Sequence, residues 1–84
     1  MRSFVYKSVR KPDTYLYLRD EGGFDVVPGD LLERLGPPTF VIELLLDPSR
    51  PLARENVDTV MGNLSANGWH LQLPPAASES DRLA

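Results

Sequence analysis

Cysteine is absent from this 84-residue chain, and histidine and tryptophan occur once each. Without thiols there can be no disulfide framework, no thiol nucleophile and no iron–sulfur ligation. The usual structural zinc sets are excluded too, because His70 is the only soft ligand available. Long apolar runs are missing: the longest, Phe40 to Leu46, is broken by Glu43 and falls far short of the roughly 18 residues that suggest a membrane span. The N-terminal apolar stretch Phe4-Val5-Tyr6 ends at Lys7, too short for an export signal, so a cytoplasmic location without membrane attachment is expected. Glu21-Gly22-Gly23-Phe24 lacks the Lys and Ser/Thr of a phosphate loop and reads as a turn. Asp13, Asp20, Glu21 and Asp25 do not have the spacing of a calcium loop. No cofactor or metal is expected.

What is present fits one small domain over residues 1–75, with a disordered tail at 76–84 where small and charged residues leave a single leucine. A chain this short buries only about 60 % of its unfolded surface, so its core is small. Net charge is −3, unevenly spread. Residues 1–19 hold Arg2, Lys7, Arg10, Lys11 and Arg19 against Asp13 alone, and the acidic excess lies in the remainder. Lys7, Arg10, Lys11 and Arg19 therefore form a candidate basic segment, weaker than a dedicated nucleic-acid binder carries.

Ser3–Val9 and Thr14–Arg19 are rich in aromatic and β-branched residues and flank Arg10-Lys11-Pro12-Asp13, the pattern of a hairpin. Pro28 and Asp30 open a short helix with Leu31, Leu32 and Leu35 on one side, and Gly36-Pro37-Pro38 stop it. Thr39–Leu46 reads as a third strand, apolar enough for a well-buried position. A second helix is expected at 54–67, with Val57, Val60, Met61 and Leu64 on one stripe. Arg54 at its start has no acceptor for the orphan amides, which leaves that boundary open. Trp69–Leu73 is the fourth strand, ended by Pro74-Pro75. The expected fold is α+β: a compact, largely antiparallel four-stranded sheet in the order strand-strand-helix-strand-helix-strand, with two helices on one face.

These elements carry Val5-Tyr6-Lys7-Ser8, Thr14-Tyr15-Leu16-Tyr17-Leu18, Phe24, Val27-Pro28, Leu31-Leu32, Gly36-Pro37-Pro38 and Leu46-Asp47. Gly68-Trp69-His70-Leu71-Gln72-Leu73-Pro74-Pro75 closes the series. In these residues the chain resembles the YcgL family of small bacterial proteins over nearly its whole length up to Pro75. The Tyr15-Leu16-Tyr17 triplet and the closing Leu71-Gln72-Leu73-Pro74-Pro75 are the most specific parts. The resemblance implies a compact α/β arrangement in a family largely of unknown function, and no catalytic residues transfer with it.

Strand alternation sorts side chains onto two faces. An apolar set, including Val5, Val9, Leu16, Leu18, Ile42, Leu44, Trp69, Leu71 and Leu73, is expected under the helices. A mixed set, including Phe4, Tyr6, Ser8, Tyr15, Tyr17, Glu43, Leu45, His70 and Gln72, is expected to face outward. Tyr6, Ser8, Tyr15, Tyr17, Glu43, His70 and Gln72 form the candidate binding face. Tyrosines on such a face can finish a half-exposed sheet or stack unpaired bases. His70 beside Glu43 would suggest acid–base chemistry, and Ser8 a nucleophile, but no elbow or adjacent base accompanies that serine. No catalytic residue is assigned. The expected function is a non-catalytic binding or adaptor module that engages a protein partner through an exposed sheet face or strand edge. The alternative is an RNA-binding accessory protein in RNA processing, and a small hydrolase ranks last.

Overall fold

The computed structural model describes residues 1–52 and 55–74. The expected tail at 76–84 and the helix start at Arg54 lie outside the described residues. The chain runs β1 (Arg2–Lys7), β2 (Tyr15–Leu18), a short 3-10 turn at Phe24–Val26, α1 (Gly29–Leu35), β3 (Thr39–Leu45), α2 (Val57–Asn67) and β4 (Trp69–Gln72).

The opening hairpin is held from within its connection. The buried Ser8 hydroxyl accepts from the amides of Arg10 and Lys11 at 3.2 and 2.9 Å and donates to the Leu35 carbonyl at 2.6 Å. One side chain thus shapes the turn and ties it to α1. That helix ends at Gly36, whose φ of 74° and whose 2.8 Å approach to Arg10 Cγ at the Cβ position leave room for glycine alone. Asn56 caps α2, its side chain accepting from the Thr59 amide at 3.1 Å, and Gly68 closes the helix in the left-handed region.

The sheet is four-stranded in the order β3-β1-β2-β4, and every neighbouring pair is antiparallel. The expected α+β sheet with two helices is present, but the helices lie on opposite faces. Phe4, Tyr6, Leu16 and Leu18 pack with Leu35 of α1, whereas Val5 and Tyr17 pack with Val57, Val60 and Leu64 of α2. The topology accounts for this: β2 and β3 flank β1, so α1 crosses one face between them, and α2 crosses the other face from β3 to β4.

The expected division of side chains fails at the hairpin register. Tyr6 opposes Leu16 and Val5 opposes Tyr17, so Tyr6 joins the α1 face and Tyr17 the α2 face. Alternation fixes parity within a strand, but the connection fixes which residues oppose each other, and a one-residue offset exchanges faces. Val9 and Leu73, placed in the covered set, are exposed.

Candidate functional site

The three tyrosines do not share a surface. Tyr6 is buried beneath α1, its ring edge-on to Phe24 and Phe40 at 4.7 and 5.6 Å, and its hydroxyl accepts from the Gly22 amide at 3.0 Å. Tyr17 is buried beneath α2 and donates to Gln72 Oε1 at 2.8 Å. Burial, with the Glu55 carboxylate and Tyr15 adding smaller effects, pushes the Tyr17 phenol above its ordinary value of 10.0. Tyr15 is half-buried at the margin of the α2 cluster. The candidate face thus divides into side chains that hold the helices on, not a stacking platform.

His70 and Glu43 are also separated, on β4 and β3 at opposite edges of the sheet. His70 Nδ1 accepts from Asn63 Nδ2 at 2.9 Å, while Nε2 donates to Glu55 Oε1 at 3.0 Å. Both ring nitrogens are occupied, and the Tyr17 ring stands edge-on at 5.7 Å. This imidazole fastens α2 and the chain before it to β4. The sequence reading missed Glu55 and Asn63; they precede His70 by 15 and 7 residues, and no periodicity links them to it. Glu43 instead receives the exposed Arg2 guanidinium at 2.9 Å, a contact worth about 0–1 kcal/mol. Ser8 is committed to the hairpin turn. Among the described residues, no buried side-chain nitrogen or oxygen lacks a hydrogen-bond partner. No three His, Cys, Asp or Glu side chains there gather as a metal site.

The basic segment divides, three residues at one end of the hairpin and one at the other. Arg10 donates to the Glu33 carbonyl at 2.8 Å, and Lys7 and Lys11 lie with it at the hairpin end. Arg19 follows the far end of β2, beside Asp20. A cleft of about 610 Å³ under the end of α1 is lined by apolar groups with Arg10 and Glu33. One of about 440 Å³, between the hairpin turn and β4, has an apolar floor with Lys11 and Arg34. Neither holds an acid–base pair aimed at a nucleophile.

The surface with an unusual physical character is β3. It was expected to be well buried, and it is an edge strand. An apolar run fits either position, and only the strand order decides between them. Phe40, Val41, Ile42 and Leu45 are 46–62 % exposed. The direction of its backbone groups follows from the register. Leu46 N donates to the Met1 carbonyl at 2.6 Å, and the Met1 ammonium donates to the Leu46 carbonyl at 2.7 Å. In an antiparallel ladder such mutual pairs recur every second residue, so Leu44 opposite Ser3 and Ile42 opposite Val5 also turn toward β1. The Ser8 amide, donating to Thr14, fixes the same phase from the other side, with the even-numbered residues of β1 turned to β2. The N–H and C=O groups of Glu43 and Leu45 therefore point outward, and no described strand pairs with them.

Edge strands are commonly guarded by shortness, proline or charge. The other edge, β4, spans four residues and is followed by Pro74. β3 spans seven, carries Glu43 as its only charge, and has no proline. Its one irregularity is a bulge where Ile42 opposes Val5 and Phe40 opposes Tyr6, leaving Val41 unmatched.

A small α+β domain with an open antiparallel sheet, a helix on each face and its polar side chains committed internally is the class of protein these observations define. The YcgL domain model matches residues 3–75, and the chain belongs to that family. A YcgL domain-containing protein of Thioalkalivibrio sulfidiphilus is 47 % identical over 75 residues, covering 89 % of this chain and 93 % of the relative. Relatives of the same description in Xanthomonas campestris pv. campestris (strain B100) and Stutzerimonas stutzeri are 46 and 45 % identical. They cover 88 and 89 % of this chain and 86 and 77 % of their own lengths. These descriptions name the domain and state no activity. Among the described residues no helix is long and apolar enough to cross a membrane.

Proposed function

We propose that the protein is a non-catalytic, cytoplasmic binding module that engages protein by adding a strand to the outer edge of β3. The observation that carries this reading is the combination on one strand of outward backbone groups at Glu43 and Leu45 with four half-exposed apolar side chains. Main-chain hydrogen bonds supply affinity in such edge additions, and alternate side chains supply selectivity. The internal commitment of His70, Ser8 and Tyr17 supports a binding role over a hydrolytic one. The burial of Tyr6 and Tyr17 on opposite faces, apart from any shared platform, supports protein over RNA as the ligand.

The test is affinity capture from native lysate with tagged wild-type protein and the Ile42→Lys variant, each with and without nuclease. Ile42 is 49 % exposed, so the substitution changes the edge more than the core. The expected outcome is nuclease-resistant capture that Ile42→Lys reduces at least ten-fold. Capture that disappears with nuclease or survives Ile42→Lys contradicts the reading.

A further inference from the structure

We infer that the occupant of the β3 edge is a second copy of this chain, paired antiparallel across 42–46 about a two-fold axis at Leu44. This rests on the reading of β3 as a docking edge and adds its partner and register. The bulge at Val41 interrupts the outward row, so a regular incoming strand seats on the half of β3 beyond it. A symmetric pair must then match outward residues with outward residues. Any residue from 42 to 46 can be such a centre, but Ile42 pairs the strand with its bulge and Leu46 pairs it with the Asp47-Pro48 loop, which leaves three.

Centring on Glu43 sets two carboxylates opposite each other and needs the bulged Val41 opposite Leu45. Centring on Leu45 sets Glu43 opposite Asp47 of the second copy. Directly opposed like charges destabilise both arrangements. Centring on Leu44 opposes Leu44 with its own copy, Ile42 with Leu46, and Glu43 with Leu45. No like charges meet, and about four main-chain hydrogen bonds form between the two Glu43 and two Leu45 backbones. A second copy meets every condition with residues already on the strand, and the product is a continuous eight-stranded sheet.

Five residues a side make a small interface, below the roughly 1,200 Å² of a standard one, so the pair is weak and reversible. Leu45, 62 % exposed in the single chain, is where the register can be read. Opposite Glu43, a lysine there gains an ion pair and a glutamate gains a repulsion. Sedimentation equilibrium of the full chain, Leu45→Lys and Leu45→Glu from roughly 5 to 500 µM covers the range of a weak interface. Circular dichroism confirms that each variant is folded. The expected result is a monomer–dimer equilibrium that Leu45→Glu weakens at least ten-fold and Leu45→Lys leaves unchanged or tightens. A wild-type monomer at every concentration overturns the inference, as do two variants that shift the equilibrium alike. A monomer whose protein capture is still lost in Ile42→Lys removes the second copy and leaves the edge reading standing.

Discussion

Polar side chains in this small domain work mainly as fasteners. Ser8 joins three backbone groups from two parts of the chain, and His70 joins Asn63 and Glu55. Tyr17 lies at the centre of the α2 face, donating to Gln72 while its phenol is held above 10.0, chiefly by burial. Because its raised value favours the protonated form in the folded state, its contribution is intact below 10.0. It is lost as pH rises from there through the higher folded value. Thermal unfolding of wild type and Tyr17→Phe between pH 9 and 12 is predicted to show a steeper alkaline fall for wild type. Parallel curves would contradict a protonation-sensitive Tyr17. The residue types Ser8, Tyr17, His70 and Gln72 were legible as candidates in the sequence. Their pairings were not, because a hydrogen bond between residues 7, 15 or 55 positions apart leaves no periodic trace.

At the scale of elements, the strands, α1 and the stop at Gly36 were legible from alternation, apolar spacing and punctuation. The start of α2 was less so: Val57–Asn67 begins three residues after the expected Arg54, behind an Asn that caps the Thr59 amide. Capping chemistry decides this boundary, since apolar spacing marks a stripe without marking its first turn. Asn56→Ala is predicted to cost about 1 kcal/mol in urea unfolding, and Asn56→Asp to retain most of that stability. Equal losses in the two variants would contradict a side-chain cap. β3 shows the reverse failure. Its apolar run was plain in the sequence, but position in the sheet depends on strand order, and the run occupies an edge.

At the scale of the whole molecule, the order β3-β1-β2-β4 connects these outcomes. It places both hairpin strands centrally, sends one helix across each face, and leaves β3 and β4 as edges. The central pair carries half of the buried apolar residues and is covered on both sides, which is why buried tyrosines appear on both faces. The sequence could not reveal this because opposed faces depend on one-residue register in the hairpin. What the arrangement leaves open is an apolar edge whose outward amides are those of Glu43 and Leu45. Residue-resolved amide hydrogen exchange tests that claim most directly, comparing dilute protein with concentrated protein and with captured partner. In dilute protein the Ile42 and Leu44 amides, turned toward β1, are predicted to be protected while those of Glu43 and Leu45 exchange freely. Glu43 and Leu45 should become protected when the edge is filled; if they still exchange freely in both the concentrated and the partner-bound samples, β3 is not the binding edge.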